Sequence, residues 1–125
     1  MKCENLKNVT LPDGVLQIGK NAFAQCAELE EVFIPDSVTL IDECAFSGCK
    51  KLKSIKIPEK EITIESGAFM DCVSIESIAL DFATVGDNAF DGCEGLKKVT
   101  VSDNSNLYGD YIFEGCVSLS EITHR

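Results

Sequence analysis

The chain has 125 residues and carries 11 Lys plus Arg against 21 Asp plus Glu, a formal net charge of −10 at pH 7. So acidic a chain offers no basic face to a nucleic-acid backbone, and 45% hydrophobic residues set it apart from a disordered acidic tail. Tryptophan is absent and His124 is the only histidine, which excludes multi-histidine metal sites and leaves little room for imidazole catalysis.

Six of the seven cysteines stand at positions 3, 26, 49, 72, 93 and 116, at intervals of 23, 23, 23, 21 and 23 residues. Disulfide frameworks rarely keep such a period, whereas internal repeats do. Units therefore start at Cys3, Cys26, Cys49, Cys72, Cys93 and Cys116, with Cys44 outside the series.

The first unit opens with Leu6, Val9 and Leu11, alternating and β-branched at its end, which predicts a short strand closed by Pro12. A polar turn, a second apolar pair (Val15, Ile18) and an Ala22-Phe23 pair follow, the last read as a helical turn. The second unit repeats this with Pro35, Val38, Ile41 and Ala45-Phe46, and the third with Leu52, Ile55, Ile57, Pro58 and Ala68-Phe69. The fourth is two residues shorter, lacks the proline and ends on Ala89-Phe90. The fifth also lacks the proline and ends on Ile112-Phe113, and a partial sixth, from Cys116, finishes the chain. Units this small cannot bury an apolar face alone, so they must stack, with Phe and Cys inward and equivalent strands in a parallel sheet.

The pattern resembles the leucine-rich repeats, and within them the BspA-type subclass. The second unit carries it nearly in full, as Ile34-Pro35-Asp36-Ser37-Val38-Thr39 through Ile41, then Ala45-Phe46-Ser47-Gly48-Cys49. The expected fold is an α/β solenoid over residues 1–125 as one domain. It has five full units and a partial sixth, a short parallel sheet on one face, and turns with short helical or β segments on the other. The resemblance implies a bacterial or protist protein, extracellular or on the cell surface, that binds host matrix proteins or other cells without being an enzyme. The rival reading is a structural spacer. No capping unit is evident at either end, which predicts a piece of a longer protein or end-to-end association of chains.

Chemistry finds little support in the residues. The ladder cysteines read as buried small apolar groups, with occasional disulfides as the alternative, and they lack the C-x-x-C spacing of a zinc site. Cys44 would be the reactive thiol if exposed. Acid pairs such as Asp42-Glu43 read as solvated turns, and no unit reproduces a D-x-[DN]-x-[DN]-G calcium loop. No catalytic residue, cofactor or metal is expected. No apolar run approaches the roughly 18 residues of a membrane span, so no membrane insertion is expected either.

Function is sought instead on the exposed, concave face of the sheet, where repeat positions 6 and 8 point outward. The partner-binding candidates there are Glu31, Phe33, Ser54, Lys56, Ala79, Lys98 and Thr100, with Phe33 a large aromatic between Thr10 and Lys56. The expected partner is a protein, with carbohydrate second. Repeat position 5 reads Lys7, Glu30, Lys53, Glu76, Lys97, an alternation that predicts an ion-pair ladder along the stack. Acids and lysines cancel within the strand segments, so the acidity of the chain lies in its connecting turns and ends and acts as a solubility device.

Overall fold

The computed structural model describes residues 3 and 5–125. Ten strands follow in chain order: β1 (Asn8–Thr10), β2 (Gln17–Ile18), β3 (Glu31–Phe33), β4 (Leu40–Ile41), β5 (Ser54–Ile55), β6 (Ile62–Ile64), β7 (Ser77–Ala79), β8 (Ala83–Val85), β9 (Lys98–Val101) and β10 (Glu121–His124). All pairing is parallel and joins equivalent residues of successive units, as in Val9↔Val32, Val32↔Ile55, Ile18↔Ile41 and Ile41↔Ile64. Each unit is thus one coil of a solenoid. The second apolar segment of each of the first four units builds a sheet of its own, β2-β4-β6-β8, opposite the strands that begin the units.

The apolar residues at repeat positions 4, 7 and 9 face inward and meet the inward residues of this second sheet. Leu29, Leu52, Ile75 and Leu96 are fully buried, as are Ile41, Ile64 and Val85. The phenylalanines close the core as one continuous column. Phe23, Phe46, Phe69, Phe90 and Phe113 stack ring on ring at centroid spacings of 5.3, 5.2, 5.3 and 5.8 Å, within 16° of parallel. Only the repeat itself imposes that face-to-face geometry, since isolated aromatic pairs prefer offset or edge-on contacts.

The Ala-Phe segments are not helical turns, and no helix occurs among the described residues. The reason lies in the backbone on either side of the pair. Asn21, Cys44, Gly67, Asn88 and Tyr111 precede it at φ of 55–66°, and Gln25, Gly48, Asp71, Gly92 and Gly115 follow at 60–77°. A right-handed helix cannot pass through a left-handed residue. The reversal sends alternate amides in different directions. The N–H groups of Asn21, Phe23 and Gln25 donate to Glu43, Ala45 and Ser47 of the next coil at 3.0, 2.7 and 2.7 Å. Those of Ala22, Ala24 and Cys26 donate back to Gly19, Asn21 and Phe23 of their own coil, at 3.1, 3.1 and 3.2 Å. The second and third turns repeat this pattern in full, half of the donors bonded within the coil and half between coils, whereas in the fifth turn the bonds are those of Glu114 and Cys116 back to Tyr111 and Phe113.

Two irregularities mark the shortened fourth unit and its neighbour. The first face is not one sheet: β1-β3-β5 and β7-β9-β10 are separate, with the break between the third and fourth coils. The position-5 amides bond from coil to coil on either side of it (Glu30 to Lys7 and Lys53 to Glu30, then Lys97 to Glu76), while β6 and β8 stay paired on the opposite face. In the fifth coil Asn106 bridges Thr84, yet the next amide to bond onward is that of Gly109, to Val85 O at 3.1 Å. Leu107 and Tyr108 thus both oppose Val85, a β-bulge that turns them outward to 37% and 57% exposure. Gly109 closes the bulge against the backbone of Gly86 and Asp87, where a methyl group would collide. Gly109→Ala is expected to destabilise the fold by about 1–3 kcal/mol. An unchanged urea midpoint would show that these two coils have room to separate.

Candidate functional site

Strand alternation sends repeat positions 6 and 8 of the first face outward, and most candidates are found there. Phe33, Ser54, Lys56, Ala79 and Lys98 are exposed, and Glu31 is half-buried. Phe33 holds its ring 55% exposed at the end of β3. Beside it runs a groove of about 320 Å³ lined by Ile34, Pro35, Asp36, Lys56, Pro58, Glu59 and Lys60. The aromatic ring, the two prolines of adjacent coils and a lysine from the same outward column as Phe33 therefore share one stretch of surface. Lys98 is engaged with Glu121 of the next coil at 3.7 Å.

Thr100 is a correction to the sequence reading: only 7% of it is accessible. It lies in register between Ala79 and Thr123. Its coil is also crossed by a side chain from the sixth unit. Arg125 Nη1 meets Asp81 Oδ2 at 3.1 Å, and Asp81 belongs to the fourth coil, so the arginine stem spans the fifth. Repeat position 10 explains the arrangement. It holds Pro12, Pro35 and Pro58 in the first three units, then Asp81, Ser102 and Arg125. The lost prolines were visible in the sequence. That their replacements form a buried acid and its cation was not read there.

The position-5 ladder reduces to one rung. Among the described residues only Glu76 and Lys97 of that column approach, at 3.6 Å, and Lys53 and Glu76 face each other across the break in the sheet. Other inter-coil pairs form in other columns, Glu28–Lys51 at 2.9 Å and Lys20–Glu43 at 3.1 Å. The hydrogen bonds that Lys51 and Lys20 donate to Glu28 and Glu43 raise the pKa of these two lysines. Exposed pairs of this kind, screened by solvent, contribute little to stability.

The cysteine ladder does more than fill space. Cys49, Cys72, Cys93 and Cys116 each donate S–H to the carbonyl of the phenylalanine that stands just before the preceding ladder cysteine, Phe23, Phe46, Phe69 and Phe90 respectively, at 3.1 Å in every case. Burial pushes the Cys49 thiol up to about 11 and that of Cys93 to about 12. Cys26 departs from the free-thiol reading: it is disulfide-bonded to Cys3, with Cα atoms 5.0 Å apart, tying the first two coils together. Cys44 is a half-exposed free thiol held in the left-handed turn position, its sulfur against Gly67. The sole imidazole, His124, pairs with Asp103 at 3.0 Å, while the ladder thiols are engaged with carbonyls. Among the described residues no three of His, Cys, Asp and Glu gather to hold a metal ion.

A family profile described as BspA type Leucine rich repeat region matches the chain in 6 copies, over residues 1–85 and 78–125. No curated protein sequence matches it significantly. Among solved structures, a leucine-rich-repeat protein of T. pallidum is similar at 29% identity and a TM-score of 0.82, over 94% of this chain and 69% of that one. The pneumococcal vaccine antigen PcpA shares the fold at 22% identity and a TM-score of 0.82, over 97% of this chain and 31% of that one. A leucine-rich-repeat protein of Bacteroides ovatus is similar at 29% identity and a TM-score of 0.52, over 95% of this chain and 43% of that one.

Proposed function

The chain belongs to the BspA-type leucine-rich-repeat family, and on that footing we propose that it is a non-enzymatic, protein-binding module of a cell-surface protein. The repeats act together as one domain whose exposed sheet face meets a host-matrix or cell-surface protein. The observation that carries this reading is Phe33, 55% exposed beside a proline-lined groove that shares Lys56. A few aromatic or arginine side chains seated at pockets carry much of the energy of protein interfaces, and an exposed ring beside a groove has that form. Glu31, Ser54, Ala79 and Lys98 surround this anchor as the rim of the footprint, and Thr100 contributes only as its buried floor.

The test is retention of the purified chain on immobilised matrix proteins, compared with Phe33→Ala and Lys56→Glu. Loss of an interface anchor removes about 2 kcal/mol or more, so Phe33→Ala should lower affinity at least about thirtyfold. Lys56→Glu should act mainly through the association rate and in low salt. Retention equal in all three proteins would place the contact elsewhere on the coil. A chain retained by nothing would favour the spacer reading.

A further inference from the structure

Among the described residues Asp81 is the one buried acid, and its two oxygens are treated differently. Its side chain is 10% exposed. Oδ2 meets Arg125 Nη1 at 3.1 Å, whereas Oδ1 is buried with no hydrogen-bond partner. The neighbouring hydroxyls do not relieve it. Ser102 Oγ donates to the Asp81 carbonyl and Ser105 Oγ to the Leu80 carbonyl at 2.6 Å, so both are spent on main chain. A carboxylate oxygen withdrawn from water without a donor is an unfavourable arrangement that a two-pronged cation would correct. Arg125 reaches across a whole coil to make its contact and engages only one oxygen.

We propose that Asp81 is a guanidinium seat on the exposed face, which Arg125 covers in cis with one contact and an arginine of a binding partner occupies with two. The ligand class is an arginine side chain on a protein or peptide. A lysine is the poorer fit, because its ammonium is a point donor that cannot bridge both oxygens in the plane of the carboxylate. Arg125 then works as a strap: it shields the acid in the free chain and must swing aside when a partner's arginine enters. The strap crosses the fifth coil, which carries Ser102 at the repeat position between Asp81 and Arg125. The seat lies one coil beyond the groove's Pro58, at the same repeat position, and uses none of the residues that line the groove.

The test is titration of the full chain with N-acetyl-arginine amide, followed by the backbone amide NMR shifts of Ala79, Thr100, Ser102 and Arg125. Saturable shifts at these residues are expected in Arg125→Ala. In the wild-type chain the strap competes, and one closed nine-tenths of the time weakens binding about tenfold. N-acetyl-lysine amide should bind more weakly than the arginine amide in both. Asp81→Asn, which keeps the shape of the side chain, should abolish the response with its amide dispersion otherwise retained. Absence of saturable shifts in Arg125→Ala overturns the proposal, as does an equal response in Asp81→Asn or from the lysine amide. The arginine titration is read separately from the matrix pull-down, so a response with no matrix retention, or retention with no response, tells failure of one site from failure of the other.

Discussion

Phe69→Ala should lower the folding free energy by about 3–5 kcal/mol, the loss expected when a fully buried phenyl ring is deleted from a core. Phe69 sits at the centre of the aromatic column, entirely inaccessible and stacked on Phe46 at 5.2 Å and on Phe90 at 5.3 Å. Removing it leaves a void between two rings that cannot close, because the coil spacing is set by the hydrogen bonds of the turns, such as Phe46 N–H to Ala68 and Phe69 N–H to Ala89, both at 2.8 Å. Phe113, half-buried at the end of the column and stacked on one side only, should lose less than half as much. The difference follows from the one-dimensional nature of the stack, where each coil is stabilised by its neighbours alone. A central loss uncouples the coils before it from those after it, next to the junction where the first face is already unpaired between β5 and β7. Urea unfolding followed by circular dichroism should accordingly show an earlier and broader transition for Phe69→Ala, and an earlier transition of ordinary width for Phe113→Ala. Equal losses for the two would mean that the column contributes only by area and not by position.

What could be read in the sequence was whatever the repeat wrote more than once. Phenylalanine recurs at one place in five units and cysteine at the head of six, so both columns, the coil count and the inward positions follow from spacing. The left-handed turns were harder to see because the residues that adopt them vary: Asn, Cys, Gly, Asn and Tyr before the pair, Gln, Gly, Asp, Gly and Gly after it. Seven of these ten are Gly or Asx residues that tolerate the conformation, but the Cys, Tyr and Gln at equivalent places hide the rule. The sites that departed from expectation depend on contacts the repeat does not predict. Thr100 lies buried between Ala79 and Thr123 although strand alternation sends its position outward. Lys53 and Glu76 fail to pair because the sheet breaks between them. Phe33 needed no such knowledge, since strand alternation alone put it outside.

Raising the pH from 9 to 11 should remove stability on the order of 5 kcal/mol through the thiol ladder. Cys49 and Cys93 have ordinary values of 9.0, raised in the fold to about 11 and about 12, chiefly because burial disfavours the thiolate, and Cys72 is shifted in the same direction. A group whose proton is held more tightly in the folded state contributes its full stabilisation below its unfolded value. That contribution is lost as pH rises through the folded one. Between pH 9 and 11 the unfolded chain sheds these protons and the native chain keeps them, so unfolding is favoured by about 1.4 kcal/mol per pH unit for each thiol. Geometry adds to the effect, because the proton concerned is the one donated to the phenylalanine carbonyl, and a thiolate turns that hydrogen bond into a repulsion. The measurement is anaerobic urea unfolding at a series of pH values, for the parent and for a Cys49→Ala, Cys93→Ala variant. At pH 8 the variant should be the less stable, having lost two packed sulfurs. By pH 11 the order should reverse, since groups that titrate in both proteins cancel in the comparison. Parallel stability profiles from pH 8 to 11 would mean that the ladder opens locally to release its protons without unfolding the coils. That outcome would leave the thiols as packing alone.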